Sequence, residues 1–161
     1  MAMDAHEPRW LNAEEQQTWL SLAAMVINLS NALDTQLQRD AQISHFEYQV
    51  LATLSEASER TMRMSELAVL TNGSLSRLSH VVKRLEKQGW VRRTPDPENG
   101  RYTLAVLTET GWEKVVATAP GHVEEVRSLV FDPLTKAQQR TLRTIGQRVN
   151  QAIDPTGTCP E

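Results

Sequence analysis

Ser76, Arg77, Ser79, His80, Lys83, Arg84 and Lys87 are the side chains of this sequence most able to do chemistry together. If Leu75, Leu78, Val82 and Leu85 face a core, a helical period turns these polar residues to the opposite side. Short hydroxyls near a helix start allow close approach to a surface. Arginine and lysine ends then supply forked and point-charge donors for guanine edges and phosphates. The competing reading is an ordinary solvated face, which predicts mixed charges, yet Glu86 is the only acid here. His80 fits either a base or phosphate contact or a plain surface histidine. Arg84 and Glu86, two residues apart, do not pair along a helix. Arg84 is instead expected to reach phosphate or a carboxylate near the segment that follows.

Other reactive side chains stand apart in the sequence and are not expected to converge. His6, His45, His80 and His122 are scattered, and Cys159 is the single cysteine, so no disulfide can form within the chain. There is no HxxxH, CxxC or paired-carboxylate spacing, and no glycine-rich phosphate loop. No enzyme, no metal and no cofactor is expected.

Net charge is −3 over 161 residues, which at first argues against a nucleic-acid partner. The average hides an asymmetry. From Ser74 to Thr103 seven basic residues (Arg77, Lys83, Arg84, Lys87, Arg92, Arg93, Arg101) face three acidic ones (Glu86, Asp96, Glu98), a local +4 that leaves −7 elsewhere. A basic patch on an acidic body concentrates phosphate affinity in one place. No apolar run approaches the roughly 18–20 residues of a bilayer span. The opening MAMDAHEPRW lacks the basic-then-apolar pattern of a secretory signal, so a cytoplasmic location is expected.

The elements that must position this patch can be read from caps and periodicity. Leu22, Val26, Leu29, Leu33 and Leu37 recur at helical steps in a stretch without proline or glycine, from Leu11 to about Arg39, with Trp19 and Met25 as a second apolar edge. Asn12 is its N-cap, with Glu15 at the reciprocal capping-box position. Ser44 and Glu47 open a second helix to about Ala57, and Glu59 to Met64 is a short polar link. Ser65 opens a short third helix, which Thr71-Asn72-Gly73 ends. Ser74 caps the basic fourth helix, which stops at Gly89. Val91–Thr94 and Tyr102–Leu107 are β-favouring runs around Pro95-Asp96-Pro97-Glu98-Asn99-Gly100, a hairpin. Thr108 caps a fifth helix that Pro120-Gly121 should kink or interrupt. Thr135 and Gln138 open a last helix carrying Leu142, Ile145, Val149 and Ile153 on one face. The fold class is mainly α with a small β-hairpin wing: a winged helix-turn-helix between N- and C-terminal dimerisation helices. The apolar stripes of the first and last helices exceed what so small a core needs.

Met64-Ser65-Glu66-Leu67-Ala68, Ser76-Arg77-Leu78, the block Arg84-Leu85-Glu86-Lys87-Gln88-Gly89-Trp90-Val91-Arg92-Arg93, and Leu107-Thr108-Glu109-Thr110-Gly111 occur in that order. Together they resemble the multiple-antibiotic-resistance regulator (MarR) family, over roughly residues 11–153. The resemblance implies a homodimeric transcriptional regulator, expected to repress, that sets one winged helix per subunit on successive major grooves of an inverted-repeat operator. Residues 11–39 and 109–153 would form the dimer body and 44–107 the reader, with 1–10 and 154–161 as flexible tails. The DNA-contacting set is then Ser65, Ser74, Ser76, Arg77, His80, Lys83, Arg84, Asn99 and Arg101, with Arg77 expected to read a base pair. The wing departs from the family pattern at Asn99-Gly100, leaving Arg101 to enter the minor groove. In the family it resembles, many members release DNA when a small aromatic acid enters a crevice between body and reader. Trp19, His45, Tyr48, Trp112 and His122 could line one here, or be core and surface residues. Cys159 is expected to be inert. The alternative function is an architectural or protein-interaction winged helix without an operator of its own.

Overall fold

A computed structural model describes residues 8–155; His6 and Cys159, and most of both expected tails, lie outside the described residues. Helix α1 (Ala13–Ala41) starts at the Asn12–Glu15 capping box, two reciprocal bonds of 2.9 Å. It ends where Gln42 turns left-handed at φ 57°. Helix α2 (His45–Glu56) starts at the Ser44–Glu47 box. A tight turn at Ser58–Arg60 leads into strand β1 (Thr61–Arg63), then α3 (Met64–Leu70) and α4 (Leu75–Lys87). Strands β2 (Val91–Pro95) and β3 (Thr103–Leu107) form the wing, followed by α5 (Glu109–Val126), a π-helical turn (Arg127–Phe131) and α6 (Lys136–Ile153). Thr135 and Gln138 make the box that opens α6.

The sheet is antiparallel in the order β1-β3-β2, with Thr61 opposite Val106 and Val91 opposite Leu107. Leu51 and Leu54 of α2, Leu67 of α3, Leu78, Val82 and Leu85 of α4 and Ala105 of β3 close one core beneath it. Burying a leucine of this kind stabilises the fold by about 2 kcal/mol. The C-terminal half of α1 joins this core through Leu37 and Ala41, and α5 through Val115.

The signature Leu107-Thr108-Glu109-Thr110-Gly111 is the weld between wing and α5. The hydroxyls of Thr108 and Thr110 donate to the Gly89 carbonyl at 2.6 and 2.8 Å, and the Thr108 N–H donates to Trp90. Thr108 also caps α5 by accepting from the Gly111 N–H. Gly111 sits so close that a Cβ would run into the Trp90 carbonyl.

Several expectations need correction. The polar link contains β1, because Thr61–Arg63 finds the free edge of β3. Helix α3 starts at Met64, two residues before the expected Glu66, with Arg63 at the cap position and no side-chain cap, so Ser65 is not its cap. Leu75 is 54% exposed, whereas Val81 is 5% exposed and takes its place in the core. The inward face of α4 is therefore Leu78, Val81, Val82 and Leu85. Pro120-Gly121 does not interrupt α5. Pro120 points to solvent, and α5 packs along α1, which holds both sides of the missing N–H bond in line. The irregularity falls later, in the π-helical turn.

Candidate nucleic-acid interface

The four buried residues of α4 fix its orientation. At about 100° per residue, the pole opposite them is occupied by Ser76, His80, Lys83 and Lys87. All four are exposed. Ser74 starts the helix by accepting from the Arg77 N–H at 3.1 Å. Its side chain is thus committed to the cap, and it holds the first turn rather than projecting from it.

Arg77 and Arg84, one heptad apart, lie on the flank of α4 that faces α2. The Arg77 guanidinium rests 4.0 Å above the centre of the Phe46 ring. Arg84 pairs with Glu47 at 3.1 Å. The carboxylate that Arg84 reaches is therefore on α2, not near the wing. One Glu47 oxygen caps its own helix by accepting from the Ser44 N–H, and the other takes Arg84. On the other flank Glu86 reaches β2, pairing with Arg93 at 2.7 Å and accepting from the Arg93 N–H. The Arg93 guanidinium holds the Glu86 carboxyl below its ordinary range.

The wing is built on Asp96, which is buried. Its carboxylate accepts from the Glu98 N–H at 2.9 Å and from the Arg63 guanidinium at 2.8 Å, and both pull its pKa down. Arg63 also lies over the Tyr102 ring at 4.6 Å. At the tip, the Asn99 side chain accepts from the Arg101 N–H at 3.2 Å, an Asx turn that aims the exposed Arg101. Arg101 shares a cleft of about 260 Å³ with Ser65, Leu75, Ser79, Arg93 and Tyr102. The fold thus brings Ser65, Ser79 and Arg101 into one cleft, while Ser76, His80 and Lys83 stand exposed on the outward face of α4, with Ser74 and Asn99 as shaping residues.

A second cluster lies where α2 meets α5. The His122 ring is 4.5 Å from Tyr48 and 5.8 Å from His45, and its Nδ1 is 3.4 Å from the Gln36 Oε1 of α1. The scattered histidines therefore do converge in this pair, because α5 folds back along α1 and α2. The backbone N–H of His45 donates to Asp34 at 2.7 Å. Burial pushes both imidazoles below their ordinary value. With Gln49, Thr53, Glu56 and Thr71 they line a cavity of about 290 Å³. Trp19 and Trp112 line no part of it. Trp112 packs against the core under the Arg60 guanidinium at 4.2 Å, and Trp19 is exposed on the first half of α1. Among the described residues no group of three or more His, Cys, Asp or Glu could hold a metal ion. No helix among them is long and apolar enough to cross a membrane.

Leu20, Leu22, Met25, Val26 and Ile27 of α1 and Ile145, Val149 and Ile153 of α6 are exposed. Phe46, Glu47 and Arg63, which hold the α4 and wing side chains, were not singled out by sequence. Glu47 was visible there only as a helix cap.

The family model described as the MarR family matches residues 43–103. Sco3205, a MarR family transcriptional regulator of Streptomyces coelicolor solved in complex with DNA, is 48% identical. That comparison covers 94% of each chain, with a TM-score of 0.90. AbsC, a MarR family regulator of the same organism, is 34% identical over 92% of this chain and 100% of its own, with a TM-score of 0.87. The HTH-type regulator YdcH of Bacillus subtilis is 31% identical over 60% of this chain, which spans 66% of that protein's length. These relatives favour the regulator over an architectural module.

Proposed function

The chain belongs to the MarR family of DNA-binding transcriptional regulators, and on that premise we propose that it represses transcription as a homodimer seated on an inverted-repeat operator. The observation that carries this is the outward stripe Ser76-His80-Lys83-Lys87 of α4, beside a wing tied down at Asp96. A helix with that stripe fills a major groove about 12 Å wide, and Arg101 on the wing reaches the neighbouring minor groove. That Sco3205, 48% identical to this chain, was solved in complex with DNA supports DNA binding here. Residues 11–39 and 109–153 serve as the dimer body and 44–107 as the reader. The contacting set is Ser65, Ser76, Arg77, His80, Lys83, Arg84 and Arg101, with Ser74 shaping the start of α4 and Asn99 the wing tip. The protein works in the cytoplasm and catalyses no reaction.

The cavity at His45, Tyr48 and His122 lies between reader and body, and a small phenol or aromatic carboxylate fits its imidazole and phenol walls. Such a ligand weakens DNA binding by favouring the subunit arrangement in which the two reading helices are out of register. The test is competition: the purified protein on its selected operator against random duplex DNA. Affinity at least about 10³-fold above the random pool is expected. Equal competition by the two would remove the operator.

A further inference from the structure

The two arginines of α4 have a different surrounding from its other cations. Arg77 and Arg84 sit roughly 70–90° round the helix from the outward pole. Both lean on consecutive residues of α2, Phe46 and Glu47. A helix about 10–12 Å across in a groove about 12 Å wide turns its pole to the base edges and its flanks to the phosphate walls. Phe46 is a core residue, 8% exposed, whose ring lies beneath the Arg77 guanidinium. Gly73, in the turn before α4, leaves room for that ring, since a Cβ there would come 2.7 Å from the ring carbon Cζ. A guanidinium stacked on a ring loses little freedom when it meets an anion, because its plane is already set.

We propose that Phe46 is a positioning residue for DNA binding, holding Arg77 at the flank of α4 so that it clamps a phosphate while Ser76, His80 and Lys83 face the bases. Arg77 is then a source of affinity and register, not of sequence preference. This assigns it a role other than the base reading expected from its place in the first helical turn.

The inference rests on DNA binding through α4, and the experiment separates the two. Operator affinity is measured against salt, and against a panel of single-base operator variants, for the parent chain and Arg77→Ala. The substitution should weaken every operator variant alike, on the order of tenfold. It should lower the slope of log affinity against log salt by about 0.9 per half-site. The ranking of base variants should stay as in the parent, whereas Lys83→Ala should change it. An Arg77→Ala chain whose ranking changes at one base pair while its salt slope stays overturns the phosphate clamp. A parent chain with no ranking at all overturns DNA reading itself.

Phe46→Leu tests the positioning. It should weaken binding roughly two- to fivefold, and should add less than about twofold in the Arg77→Ala background. Equal losses with and without Arg77 would mean that Phe46 is only a packing residue. Should Phe46→Leu not fold, as its thermal melting would reveal, Arg77→Lys takes its place: a lysine keeps the charge but not the planar stack, so binding should weaken, and parent-like binding by Arg77→Lys contradicts the stack.

Discussion

The Asp96 carboxylate at the root of the wing lies 2.8 Å from the Arg63 guanidinium of β1, so the hairpin is tied to the strand that precedes the helix-turn-helix. The wing is thus held from outside itself, across 33 residues of chain. Removing the tie by Arg63→Ala should let the tip move. Hydrogen exchange at the Glu98 amide, which bonds to Asp96, should quicken, and operator affinity should fall roughly three- to tenfold. Parent-like exchange at Glu98 would show that the hairpin holds its own shape.

Arg101→Ala removes the side chain that the Asn99 turn aims. A wing contact reads groove width and potential rather than a donor pattern. Binding to operators with A·T-rich flanks should weaken most, and the salt slope should become shallower by about one unit per site contacted. If flank preference and slope are both unchanged, the wing does not enter the groove.

Ile145, Val149 and Ile153 of α6 and Val26 and Ile27 of α1 are exposed in the single chain. At micromolar concentration sedimentation should give twice the 18.1 kDa of one chain. Ile145→Glu combined with Val149→Glu should shift the mass toward the monomer, because unpaired charges placed in an apolar interface cost several kcal/mol. A parent mass near that of one chain would remove the dimer.

His45 and His122 are half-buried, and burial lowers both from an ordinary value of 6.5. Neutral imidazoles are therefore favoured when the chain is folded. The unfolded chain takes up protons first as pH falls, so stability is complete above about 6.5 and declines below it as the pH approaches the folded values. Melting temperature should drop on acidification from pH 7 to 5, and the double variant His45→Gln, His122→Gln should drop less. Parallel profiles would place the acid sensitivity elsewhere.

Local signals carried most of the fold. Asn12, Ser44, Ser74, Thr108 and Thr135 all cap the helices they were expected to cap, because a cap needs only its own next three residues. Ser65 failed the same rule because α3 begins where β1 ends, and β1 exists through pairing with β3, some forty residues away. Leu75 and Val81 exchanged places because both fit a helical period, and only the packing of α4 against its neighbours decides which edge is wet. The outward stripe of α4 was legible from its residue types. The stacking of Arg77 on Phe46, the Asp96–Arg63 tie and the meeting of His45 with His122 all join separate elements, and nothing in their spacing announces them.

The central claim is that two copies of α4 read one duplex together, and selection of bound sequences from a random DNA pool by the purified protein tests it most directly. The account predicts enrichment of an inverted repeat whose half-site centres lie one helical turn, about 10–10.5 base pairs, or a multiple of it apart. A pool that stays random through successive rounds, or yields only single unpaired half-sites, would contradict it.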